Sequence, residues 1–78
     1  MSEKLAAMRR NVQRLLELYH PEYTWRTQYC DGEAMRVYCL RDASSVSVRV
    51  SAAALRDNTS VVKAMADDMI VMLQLETL

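Results

Sequence analysis

The chain has 78 residues, with ten basic and ten acidic side chains that leave no formal net charge; 51% of residues are hydrophobic and 26% charged. These values exclude wholesale disorder and fit one small domain, residues 1–78, which buries only roughly 60% of its unfolded surface. The missing basic excess argues against a dedicated duplex-nucleic-acid binder, and zero net charge favours self-association or a lasting partner.

Cys30 and Cys39 are the only cysteines and His20 the only histidine, so no zinc motif can be assembled. The N-terminal segment MSEKLAAMRRNVQRLLELYH is charged and amphipathic, without an apolar signal core. No run approaches the ~20 apolar residues of a membrane span. The expectation is a cytoplasmic protein with two reduced thiols and no metal or cofactor.

Residues 3–19 read as a helix, because Leu5, Met8, Val12, Leu15, Leu16 and Tyr19 recur at three- and four-residue steps. Ser2 is the expected N-cap and Pro21 the stop. Lys4, Arg9, Arg10, Asn11 and Arg14 form the opposite, basic face. Residues 22–30 read as a strand of aromatic and β-branched residues. Asp31-Gly32 predicts a two-residue hairpin turn into a second strand over 34–41. A turn at Asp42-Ala43-Ser44 leads to a third strand over 45–50, where SVSVRV alternates cleanly. Residues 51–55 suit a short helical turn, and Asp57, Asn58, Thr59 and Ser60 offer caps for a helix over about 60–76. That last helix is apolar on Val62, Met65, Met69, Met72, Leu73 and Leu75, and Ile70 and Val71 widen the arc.

The predicted order is α-β-β-β-α, an α+β fold. Its simplest two-layer form is a three-stranded antiparallel meander with two helices packed on one face. The other face is then open to water or a partner. Parity puts Val46, Val48 and Val50 together with Met35, Val37 and Cys39 beneath the helices. With a two-residue Asp31-Gly32 turn, Tyr23, Trp25, Thr27 and Tyr29 join Arg36, Tyr38, Leu40, Ser47 and Arg49 on the open face. The same register sends Arg26 toward the helices, which is costly; a one-residue bulge would instead bury Trp25. It also places Cys30 and Cys39 on one face, too far out of step for a disulfide.

Little in the chain suggests catalysis. His20 ends a helix, where it suits the dipole, and no Ser-His-Asp set, paired-carboxylate motif or glycine-rich phosphate loop occurs. Adjacent Asp67 and Asp68 diverge by about 100° on a helix and read as a solvated face. The methionines read first as core filler, with room for a dimer contact on the last helix. The element order resembles the double-stranded-RNA-binding domain in topology. That family's lysine-rich start of the last helix is matched here by Asn58-Thr59-Ser60-Val61-Val62-Lys63, with one lysine. Residues 51–78 carry Arg56 and Lys63 against Asp57, Asp67, Asp68 and Glu76, so duplex RNA is not the expected ligand.

The expected function is that of a small non-enzymatic protein-binding module. Its size suits an inhibitor or regulator of the kind phages and mobile elements encode, covering a surface of a partner complex. The candidate contact residues are Tyr23, Trp25, Tyr29, Arg36, Tyr38 and Arg49 on the sheet, with Arg9, Arg10 and Arg14 on the first helix. One alternative is single-stranded nucleic-acid binding, with Trp25, Tyr29 and Tyr38 stacking bases and Arg36 and Arg49 holding phosphates. Another is a homodimeric structural protein. No membrane and no small-molecule substrate are expected.

Overall fold

A computed structural model describes residues 3–55 and 59–76. The elements are α1 (Glu3–Tyr19), β1 (Thr24–Cys30), β2 (Ala34–Arg41), β3 (Ser44–Ser51), α2 (Ala52–Leu55) and α3 (Thr59–Glu76). The α-β-β-β-α order and α+β class are as the sequence predicts, with α2 as a single added turn. The expected caps Ser2, Asp57 and Asn58 and the side chain of Lys4 lie outside the described residues.

The apolar stripe of α1 faces inward: Val12 and Leu16 are buried, and Met8, Leu15 and Tyr19 pack against the core. Ahead of Pro21, the His20 N–H donates to the Leu16 carbonyl at 3.0 Å and closes the last turn. The strands form one open antiparallel sheet in the order β1-β2-β3. β2 and β3 pair as parity requires, Met35 with Val50, Val37 with Val48 and Cys39 with Val46. Their link is the two-residue loop Asp42-Ala43. Asp42 sits there at φ 55°, a left-handed conformation that a short polar side chain tolerates.

The first hairpin differs from expectation. Its loop has three residues, Asp31, Gly32 and Glu33, and Cys30 pairs with Ala34. Trp25 therefore lies opposite Cys39, Thr27 opposite Val37 and Tyr29 opposite Met35. One extra loop residue turns the whole of β1 over, because side chains alternate with period two. Gly32 takes φ 75° and Glu33 takes φ 58°. The left-handed Glu33 costs about 1–2 kcal/mol. A large apolar side chain gains about 1.5–3 kcal/mol on full burial. Trp25 and Tyr23 both go under, and the charged Arg26 is spared that fate, so burial outweighs the turn preference of Asp-Gly.

The expected aromatic sheet face is thus overturned. Tyr23 and Trp25 are 8% and 2% exposed, in the core with Leu16, Met35, Val37 and Met69. Tyr29 is half-buried on the same side. Cys30 and Cys39 fall on opposite faces rather than one, since Cys39 shares parity with Trp25 and Cys30 does not. Both are free thiols.

α1 packs on β1, α3 on β3, and the two helices touch each other across the sheet. The Ala52 N–H donates to the Glu33 carbonyl at 3.0 Å, extending the ladder one step beyond β3. Leu55 then anchors α2 in the core. α3 buries Val62, Ala66, Met69 and Leu73 at three- and four-residue spacing.

Candidate functional site: the open sheet face

With β1 turned over, the face away from the helices carries Thr24, Arg26 and Gln28 from β1, Arg36, Tyr38 and Leu40 from β2, and Ser45, Ser47 and Arg49 from β3. The three strands contain arginines at 26, 36, 41 and 49 and no aspartate or glutamate. Among the described residues, the acidic side chains sit in helices and loops. A neutral chain therefore presents a strictly basic sheet face.

Arg36 and Arg49 are direct cross-strand partners, and Gln28 flanks Arg36 on the other side. Like charges set opposite one another are destabilising by a few tenths of a kcal/mol to about 1 kcal/mol. Arg49 is steadied by its Nη2, which donates to the Asp31 carbonyl at 2.9 Å. Among the described residues none of Arg26, Arg36 and Arg49 is in an ion pair. Tyr38 stands at the centre, half-buried, and its hydroxyl donates to Gln28 Oε1 at 3.0 Å. Arg26, Gln28, Tyr38 and Leu40 border a shallow depression of about 360 Å³.

Of the sequence-predicted contact residues, Arg36, Tyr38 and Arg49 come together here. Tyr23, Trp25 and Tyr29 do not. Tyr23 lies under Arg41, whose guanidinium carbon is 5.2 Å from the ring centre. The basic face of α1 is also divided. Arg9 leans inward, its Nη1 donating to Thr27 Oγ1 at 3.5 Å and its guanidinium 5.9 Å from the Tyr29 ring centre. Arg10 and Arg14 stay exposed, and Arg14 Nη2 donates to Asn11 Oδ1 at 2.7 Å. They belong to the helix layer, so they extend a different surface from the sheet arginines. Arg26 is not among the sequence-predicted contact residues, because Asp-Gly signals a two-residue loop; the three-residue loop places it outside, as the cost of burying it favours.

His20 is a brace. Its Nε2 is 2.9 Å from Asp67 Oδ1 and its Nδ1 is 3.3 Å from Glu22 Oε1. Its carbonyl accepts from Trp25 Nε1 at 3.0 Å. The polar partners of this ring therefore lie on α3 and the following loop, beyond its own helix end. The hydrogen bond from His20, then that from Lys63, holds the Asp67 carboxyl below the usual range. Among the described residues no three histidine, cysteine or acidic side chains converge to hold a metal ion.

Cys39 sits fully inside, and burial, aided by the charge of Glu22, pushes its thiol from 9.0 up to about 11. The folded state keeps the proton where the unfolded chain has lost it. This contribution to stability is full below pH 9 and is lost as pH rises through 11, roughly 2–3 kcal/mol in all. Urea midpoints measured between pH 8 and 11 are expected to fall in the wild type and to fall less in Cys39→Ala.

No protein family, curated protein or solved structure matches the chain. Among the described residues no helix is long and apolar enough to cross a membrane.

Proposed function

We propose that the chain is a non-catalytic protein-binding domain whose open sheet face takes an acidic segment of a partner protein. The observation that carries this reading is the pair Arg36 and Arg49, set directly opposite each other beside Arg26 on a face without carboxylates. A fold gains nothing by crowding guanidiniums this way. A row of carboxylates brought by a partner would turn the repulsion into charge-assisted, two-pronged hydrogen bonds. Tyr38 and Leu40 supply an apolar centre, and Tyr and Arg are enriched at binding hot spots. Such a domain would act as a regulator or inhibitor by covering a functional surface of a cytoplasmic complex. Single-stranded nucleic acid is the weaker reading, because Trp25 and Tyr29 lie on the helix side and leave Tyr38 alone as a stacking platform.

Fluorescence anisotropy with a labelled poly-glutamate peptide and a labelled oligothymidine separates the two. The expected result is salt-sensitive binding of the peptide, weakened about tenfold or more by Arg36→Ala with Arg49→Ala, a loss of about 1.4 kcal/mol. The same double variant should fold at least as stably as the wild type, since it relieves the like-charge pair. Binding of the oligonucleotide alone, or peptide binding indifferent to both substitutions, overturns the proposal.

A further inference from the structure

The two edges of the sheet are not alike. The Ala52 N–H to Glu33 carbonyl bond fixes the phase of the β2–β3 ladder. By alternation, Val46, Val48 and Val50 bond to β2, while Ser45, Ser47, Arg49 and Ser51 direct their N–H and C=O groups outward. The same alternation turns the backbone of Trp25, Thr27 and Tyr29 outward on β1. There Gln13 Nε2, from α1, donates to the Trp25 carbonyl and covers the start of that edge. β3 has no such guard among the described residues; it carries no proline, and Arg49 is its one charged residue. Native sheets usually blunt an edge of this kind.

α3 adds a second feature on the same side. Asp67 marks the flank of α3 that meets α1 through His20. On the other flank Val61, Met65, Asp68, Met72 and Leu75 recur at three- and four-residue steps, and all but the half-buried Met65 are exposed. Because α3 packs on β3 and α1 on β1, this apolar stripe borders the open edge of β3.

We infer that the chain forms a two-fold dimer in which β3 pairs antiparallel with β3 of a second copy and the two α3 stripes pack alongside. The sequence of β3 is complementary to itself. A two-fold axis through Val48 sets Val46 against Val50 and Val48 against Val48 on the helix side. It sets Ser47 against Arg49 and Ser45 against Ser51 on the open side, so no arginine opposes an arginine. The outward-bonding residues 45, 47, 49 and 51 meet only one another, so every bond of the new ladder is in phase. Zero net charge removes long-range repulsion between copies. A stable dimer buries about 800 Å² per partner, and the exposed Met72 and Leu75 bring apolar area that a strand edge lacks. Asp68 is the one charge in the stripe. The product is a continuous six-stranded sheet with its two basic faces side by side.

Sedimentation of the full chain is expected to give twice the 9.0 kDa protomer mass at micromolar concentration. Ser47→Pro removes an outward N–H without touching the β2–β3 ladder, and Met72→Lys charges the stripe. Each should return the mass to 9.0 kDa with an unchanged circular-dichroism spectrum. In hydrogen exchange, the amides of Ser45, Ser47, Arg49 and Ser51 should be protected in the wild type and lose that protection in Met72→Lys. A wild-type monomer, a dimer that survives Met72→Lys, or fast exchange of those four amides in the dimer overturns the inference. The Met72→Lys monomer keeps its sheet arginines, so peptide binding is tested separately.

Discussion

Trp25→Ala is expected to destabilise the domain by about 3–5 kcal/mol, read as a fall in the urea midpoint followed by far-ultraviolet circular dichroism. A domain of this length has about 4–12 kcal/mol of stability in all, so the substitution removes a large share of it. The size of the effect comes from the position of the indole, which is 2% exposed and tilted against both His20 and Tyr23 at ring distances of 6.4 and 6.3 Å. Truncation also removes the Nε1 donor to the His20 carbonyl, and that carbonyl closes the junction between α1 and β1. Trp25→Phe keeps most of the apolar area and loses the donor, so about 1–2 kcal/mol is expected. A midpoint for Trp25→Ala within error of the wild type would place the indole outside the core.

The same residue shows where the sequence was legible and where it was not. The extents of α1 and β2 and the pairing of β2 with β3 followed from periodicity and from the Asp42-Ala43 turn. Val46, Val48 and Val50 can face only one way if they are to be covered, and local alternation contains that information. The facing of β1 is different, because it depends on the number of residues in one loop. Asp31-Gly32 is locally content as a two-residue turn, and only the burial of Trp25 and Tyr23 elsewhere makes Glu33 a third loop residue with φ 58°. A tertiary gain overrode a local preference, and the candidate site changed with it. Arg36, Tyr38 and Arg49 stayed on the open face, Arg26 joined them, and the indole left. The cost of burying Arg26 was the sequence signal that favoured this arrangement. The His20–Asp67 brace spans 47 positions of sequence and leaves no local trace.

Met69→Lys is expected to unfold the domain, whereas Met72→Lys, three positions along the same helix, should change the stability of the protomer by less than about 1 kcal/mol. Met69 is 1% exposed and Met72 is 38% exposed. An ammonium at position 69 would sit in the core that holds Leu16, Trp25 and Val62, and leaving a buried charge unpaired costs several kcal/mol. At position 72 the chain can lay its methylenes along the helix and keep the charge in water. Urea unfolding of both variants, at concentrations low enough to hold the wild type as a monomer, separates the two cases. From sequence the two methionines are equivalent, because α3 is apolar on both its core flank and its outer flank, and its periodicity is correspondingly weak. An amphipathic helix that had only a core to satisfy would carry polar residues where Met72 and Leu75 stand. The pair of variants therefore measures two surfaces on one helix. Equal collapse of both would mean that a single core claims the whole of α3, and the flank beside β3 would then have no second copy to meet.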